Sequence, residues 1–353
     1  MAKGLIIGVA VALLLAGEAA GFDAFPIATH PRGEFSPRVA GSLVVWYDYR
    51  TAEVTDPDIY ARDLTGGGEF PVCTELGNQL RPSTDGTLIV WDDQRSGNWD
   101  LYGYDLAAGR EVPLVVGPEP ALSPDLGGGT LVWSTGTYTS DPVQGDIRGM
   151  DLATGNQFPI CEAIFGQAYP RISGNLVVWQ DARRSIPGFF TEWDIYAYDL
   201  ATGTEFPVST QRYSQVDPDV SGSIIVWRDH REEVGYDIWG FDVTTGMEFL
   251  ICRNEGGRGE PAIDGDLVVW TDWRNGDPDI YGYDLSRGIE FPIYVGPGDQ
   301  SRPAVSGNLV VWNDRPTGQM DIWGAYVPEP TTAALLLVGA AIVARHTHRL
   351  RRR

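Results

Sequence analysis

Nine residues, SGNLVVWQD from Ser173 to Asp181, return with one change as SGNLVVWND from Ser306 to Asp314. A chain that repeats itself at such a distance is restricted to architectures made from copies of one supersecondary unit. Aligned on the tryptophan, the phrase occurs seven times, at Trp46, Trp91, Trp133, Trp179, Trp227, Trp270 and Trp312, with spacings of 42 to 48 residues. Each copy is read as opening on a proline: Pro37, Pro82, Pro120, Pro170, Pro218, Pro261 or Pro303. A glycine turn leads into a run such as LVVW. A variable loop, a DIYGYDL-like run, a second glycine turn and an EFPV-like run follow.

Short apolar runs bounded by Gly, Pro and Asp read as strands and turns, and long helix-period segments are absent from the middle of the chain. Four strands in about 45 residues is the size of one propeller blade. The second and third runs are apolar on both faces, so both faces need cover, as they have when blades stack around an axis. The expected fold class is therefore all-β, a seven-bladed β-propeller of four-stranded blades. An open solenoid is the competing arrangement.

The two ends of the repeat region argue for closure. The seventh copy has DIWGAY from Asp321 but no EFPI after it, and Phe25-Pro26-Ile27 stands alone ahead of the first copy. An N-terminal strand that completes the last blade would remove a raw sheet edge. The phrases SGNLVVW and DIYGYDL, the latter followed by a Gly turn, resemble TolB-like β-propeller repeats over residues 25 to 326. That resemblance implies an exported protein with a binding or scaffolding role. No separate α/β domain precedes the repeats, so the partners of TolB itself are not carried over.

The chain has a net charge of −22. A body this acidic repels phosphate backbones, so nucleic acid is not an expected partner. The N-terminus, MAKGLIIGVAVALLLAGEAAG, has one lysine, an apolar core and then small residues; residues 1–21 read as a secretory signal cut between Ala19 and Phe22. Residues 22–326 form the propeller. Residues 327–353 carry Pro328-Glu329-Pro330, an apolar stretch from Ala333 to Ala344 and an arginine-rich end. Physically this is a short transmembrane stop-transfer segment, inserted transiently. Its order of parts resembles the PEP-CTERM sorting signal. That resemblance implies an exosortase-type processing enzyme as partner, a cut near Pro-Glu-Pro, and delivery across the inner membrane to the cell surface or an exopolysaccharide matrix. A monomer is expected.

Two aspartates recur. One lies two residues after the tryptophan (Asp48, Asp93, Asp181, Asp229, Asp272, Asp314); the other opens the third run (Asp58, Asp100, Asp146, Asp194, Asp237, Asp279, Asp321). An arginine follows the tryptophan by four in five copies: Arg50, Arg95, Arg183, Arg231 and Arg274. Carboxylates in such number suit calcium, a hard ion that takes oxygen ligands. They equally suit charge-assisted hydrogen bonds within each hairpin. A feature present in nearly every blade favours the second reading, and no cofactor is expected.

Function is sought where the repeat breaks. The residue before each blade proline varies, Ser36, Arg81, Glu119, Tyr169, Asp217, Glu260 and Arg302, and lies at the entry to the innermost strand beside the central channel. These residues form either a polar ligand site or a solvated rim. Phe189 and Phe190, in an insertion of the fourth copy, form a contact patch or fold back on the blade. Gln79, Gln167, Gln215 and Gln300, three before the proline, are expected to bond between blades. Cys73, Cys161 and Cys252 sit at equivalent places in alternate blades, too far apart for disulfides, and are expected as buried free thiols.

The repeat region holds only His30 and His230 and no Gly-x-Ser-x-Gly elbow, which argues against a serine hydrolase. No catalytic residue is assigned. The leading expectation is a non-enzymatic binding or scaffold protein whose partner is a polysaccharide or a surface protein. Two alternatives stay open: a carbohydrate-active enzyme (glycosidase or lyase) with carboxylates in the channel, and a purely structural surface protein.

Overall fold

The computed structural model describes residues 20–50, 56–136, 145–185, 192–232, 235–253, 256–316 and 318–328. These form seven antiparallel sheets arranged as the blades of a closed β-propeller, with no helix among the described residues. Strands are counted outward from the axis. Blade one runs Glu34–Ala40, Leu43–Asp48, Asp58–Asp63 and Glu69–Cys73, each strand paired antiparallel to the next. The other blades repeat this order.

The LVVW runs are apolar on both faces because each second strand is sandwiched. Val44 and Trp46 of blade one pack against Leu309, Val311 and Ile322 of blade seven. Leu43 and Val45 turn the other way, onto Ile89 and Trp91 of blade two. All seven repeat tryptophans are at most 1% exposed. Each buries roughly 200 Å², about 5 kcal/mol of transfer free energy before entropy is counted. The core is therefore not central. It consists of seven apolar seams, one between each pair of adjacent blades.

The third and fourth strands are matched by a small-to-large pairing. Phe70, Phe158, Phe206, Phe249 and Phe291 stand directly opposite Ala61, Gly149, Ala197, Gly240 and Gly282. A Cβ added at Gly240 would sit 2.5 Å from the Phe249 ring, so the aromatic lies where a side chain would otherwise be. This explains why DIYGYD and EFP occur together.

The same pairing identifies the closing strand. Ala24–Ala28 pairs with Asp321–Tyr326, and Phe25 stands opposite Gly324. Ile27 and Ala28, each 1% exposed, complete the seam between blades seven and one. Blade seven thus takes its fourth strand from the other end of the chain, as the missing EFPI implies. Preceding residues go further: Ala20–Gly21 adds a fifth strand to blade six, beside Ile289–Val295, and the Phe22 amide donates to the Ile293 carbonyl at 2.9 Å. The described residues thus begin two residues ahead of the expected propeller boundary at Phe22. The expected signal core and the apolar C-terminal segment lie outside the described residues, as do Glu329 and Pro330 of the sorting motif; Pro328 is the last residue described. No helix among the described residues is long and apolar enough to cross a membrane.

Polar contacts lock the ring at both ends of the innermost strands. On the loop face, the amide of the residue three before the blade proline donates to the preceding blade. Examples are Gln79 to Pro57, Gln215 to Trp193, Gln300 to Pro278 and, across the closure, Glu34 to Met320 at 2.8 Å. On the opposite face, the Gly41 amide donates to Ser306 Oγ at 2.9 Å and the Gly265 amide to Ser221 Oγ at 3.0 Å.

Ile27→Ala is expected to cost about 2–4 kcal/mol in urea denaturation, since a sealed seam position loses its side chain. Ile289→Ala, on the outer strand of blade six and 49% exposed, is expected to cost less than about 1 kcal/mol. Equal effects would show that the first strand is peripheral.

Candidate functional site

The innermost strand of six blades carries a β-bulge that aims side chains at the axis. In six blades the bulge residue has a left-handed backbone: Ser36, Arg81, Ser123, Tyr169, Asp217 and Arg302 have φ between 50° and 55°. Each precedes a proline, and the ladder shifts register there. A non-glycine residue in this region costs of order 1 kcal/mol or more and persists only where neighbours hold it. The preceding blade does so through the side chain that follows its tryptophan. Asn313 Oδ1 accepts from the Ser36 amide at 3.1 Å and Asp92 Oδ1 from the Ser123 amide at 2.8 Å. Gln180 Oε1 accepts from the Asp217 amide and Thr271 Oγ1 from the Arg302 amide, both at 3.2 Å.

The result is a central channel of about 490 Å³ lined by all seven innermost strands. Arg81, Tyr169, Asp217, Glu260 and Arg302 line it, as the sequence suggests, together with Ser36. Glu119 does not: it is exposed on the connection before blade three, and Ser123 takes the channel position. The blade-three proline is Pro124, not Pro120. In every other copy the proline precedes the tryptophan by nine residues, and Pro124 keeps that interval to Trp133. Phe189 and Phe190 lie outside the described residues.

At the mouth, Arg81 pairs with Asp92, and Arg228 pairs with Asp217, Nε to Oδ2 at 2.6 Å. Arg302 Nη1 donates to Ser36 Oγ at 2.7 Å. The Arg81 guanidinium also lies 5.7 Å from the ring centre of Trp99, which is half-buried beside it. One step deeper, the residues after the prolines form a second layer that the sequence reading passed over: Arg38, Ser83, Asp125, Arg171 and Asp219. The signal was available, because alternate residues of a strand share a face. Asp125 accepts from Ser83 Oγ at 2.7 Å and from the Ile172 amide at 3.0 Å; Asp219 accepts from the Ile263 amide at 2.9 Å. Burial pushes the Asp219 carboxyl up to about 6 and, with the nearby Arg171 charge, the Arg38 guanidinium down to about 10.

The recurring aspartates tie the strands of their own blades together. In five copies the tryptophan Nε1 donates to the aspartate two residues on, as from Trp91 to Asp93 at 2.8 Å. The arginine two residues further pairs with that aspartate, as between Arg95 and Asp93 at 2.6 Å. It then reaches a fourth-strand glutamate, for example Glu111 at 2.9 Å, and lies over a third-strand ring, 4.1 Å from the centre of Tyr102. Three of these arginines also touch the thiols of Cys73, Cys161 and Cys252 in the preceding blade. All three thiols are free and buried, and burial pushes them up. The third-strand aspartates tether connections: Asp100 accepts from the Gly117 amide at 3.1 Å, and Asp237 pairs with Arg253 at 2.8 Å. Among the described residues, no group of three or more His, Cys, Asp or Glu side chains is placed to hold a metal ion.

The glutamine position is a ring of fully buried polar groups. Gln79, Gln167, Gln215 and Gln300 have Glu34 and Arg258 as counterparts. The glutamine side-chain amides donate to carbonyls of their own incoming connection, such as Gly77 at 2.8 Å and Phe165 at 3.1 Å. The bonds between blades come from their backbone amides instead. Glu34 is the exception in charge. It accepts from the His30 amide, but burial, with Asp321 and Asp48 nearby, pushes its carboxyl up to about 8.

No family model and no curated protein matches this chain. Solved structures do. TolB from Acinetobacter baumannii is 16% identical with a TM-score of 0.51, over 70% of this chain and 62% of that one. The β-propeller domain of the trilobed protease from Pyrococcus furiosus is 17% identical with a TM-score of 0.65, over 83% and 95%. Oligogalacturonate lyase from Vibrio parahaemolyticus is 12% identical with a TM-score of 0.65, over 89% and 99%. This chain thus spans about three fifths of the length of TolB. The likeness establishes a TolB-like seven-bladed propeller fold. The trilobed-protease propeller has an open velcro topology, whereas here Ala24–Ala28 closes the last blade.

Two outcomes test the buried charges. Glu34 keeps a proton in the folded state between about pH 4.5 and 8 that the unfolded chain releases, so stability falls as pH rises through that window. Glu34→Gln is expected to match the parent near pH 4 and to exceed it by on the order of 2 kcal/mol at pH 9 in urea titrations. Arg183→Ala, which strands the fully buried Asp181, is expected to cost about 3–5 kcal/mol. Arg148→Ala, which breaks the exposed pair with Glu162, is expected to cost under about 1 kcal/mol.

Proposed function

We propose that this chain is an exported propeller, sorted to the cell surface, that binds a polar ligand through its channel without turning it over. The observation that carries this reading is the engagement of four of the five carboxylates that line the channel, all but Glu260. Asp217 is ion-paired, Asp125 is bonded through both oxygens, and Asp219 and Asp264 hold amides of the next blade. Acid–base chemistry on a glycosidic bond needs two carboxyl groups free to exchange protons, about 5–10 Å apart. Carboxylates that tie blades together suit recognition better than proton transfer.

Export and sorting rest on the charge and hydropathy pattern of residues 1–21 and 327–353. A processing enzyme of the exosortase type would act at Pro328-Glu329-Pro330, leaving the ring at the surface or in the surrounding polysaccharide. A carbohydrate-active enzyme is the second reading. One observation favours it: the Asp219 carboxyl, raised to about 6, sits near the working range of a general acid.

A glycan array with the full chain, with and without calcium, separates the readings when product formation is followed by mass spectrometry. Retention without new products is the expected outcome. Turnover abolished by Asp219→Asn would establish the enzyme instead, and silence on every glycan would favour a purely structural protein.

A further inference from the structure

The channel holds a positive charge that the protein itself does not neutralise by contact. Among the described residues Arg38 has no hydrogen-bond or ion-pair partner, although it lies in the deep layer of the channel. Arg171, across the ring on blade four, donates to the Pro170 carbonyl at 3.3 Å and has no ion pair among those residues. Arg302 comes in from the mouth and is held by the Ser36 hydroxyl. Arg38 lies close enough to feel the charges of both, and of Asp125 and Asp219. The two aspartates already serve as acceptors for Ser83 and for backbone amides, so they do not close on the guanidinium.

The remaining lining is made of groups that match sugar hydroxyls. Ser36 offers a hydroxyl that accepts from Arg302 and can still donate, Glu260 offers a carboxylate without a partner among the described residues, and Tyr169 offers an aromatic face. A volume of about 490 Å³ lies within the range of small-ligand sites. Guanidinium groups recognise carboxylates by paired, directional hydrogen bonds, which gain strength where water is sparse.

We propose that the channel is a binding site for an acidic oligosaccharide, with a uronate carboxylate taken by Arg38 together with Arg171 and Arg302, and with the sugar hydroxyls met by Glu260, Ser36 and Tyr169. This rests on the binding reading above and assigns it a ligand class. A peptide carboxylate would satisfy the arginines too. It would leave Ser36 and Glu260 facing few complementary groups, so the saccharide is the better fit.

The test is calorimetric titration of the full chain with a tri-uronate oligosaccharide, its methyl ester, and a tripeptide with a free C-terminus. The tri-uronate is expected to bind at least tenfold more tightly than either of the others. Arg38→Gln is expected to weaken uronate binding at least tenfold while leaving the ester unaffected, and Arg38→Lys to restore part of the loss. Arg302→Gln, at the exposed mouth, provides a second variant should Arg38→Gln fail to give a folded ring, and is expected to weaken the uronate several-fold. Equal binding of uronate and ester, preference for the peptide, no uronate binding at all, or indifference to both arginine variants would each overturn the proposal. Binding of neutral glycans with no preference for uronate would sink this inference and leave the broader binding reading standing. Arginine-dependent conversion of the uronate to products would do the reverse.

Discussion

A blade of this protein has no core of its own. Its tryptophan and valines are covered only when another blade lies on each side, so every seam depends on the ring being complete. That places unusual weight on one pairing, Ala24–Ala28 against Asp321–Tyr326. Without it, blade seven would present a raw edge and the seam with blade one would lose Ile27 and Ala28. The closing strand differs from the other fourth strands only in its origin, since Phe25 covers Gly324 as Phe249 covers Gly240.

Polar groups in this fold are used chiefly to fix angles between wedges. Apolar seams are tolerant of sliding, whereas a buried ion pair that also touches the next blade is not. The Trp–Asp–Arg–Glu chain occurs in five blades, in four of which the arginine also touches the preceding blade, and the exceptions are informative. Blade three has Thr135 where the aspartate would be, and in blade seven Asp314 bonds Gln300 instead. The channel inherits its chemistry from the same logic: residues that face the axis are free to vary because the bulge backbone is held by the blade behind.

Much of this was legible in the sequence. Blade number, strand count and the exchange of the last strand follow from a phrase that recurs and is missing once. The structural role of the recurring aspartates follows from their recurrence. The channel was only half legible. Six of the seven residues read as lining it through the blade proline do line it, but Glu119 was chosen by its proximity to a proline rather than by the constant interval to the tryptophan. The deeper layer of Arg38, Asp125, Arg171 and Asp219 was missed for a physical reason. Its residue types differ from blade to blade, so it leaves no repeat signature, and only the strand's alternation points to it. That Arg38 lacks a contacting partner depends on where six other strands converge, which no local pattern encodes.

The strand exchange also sets an order of events in time. Residues 24–28 leave the ribosome early, yet the strand they pair with is made nearly three hundred residues later. At roughly 5–20 residues per second, that is an interval of some tens of seconds in which the earliest segment has no place to dock. The first turn of the chain is therefore the last to find its partner, and the nascent protein must carry an unsatisfied β-segment through almost the whole of its own synthesis.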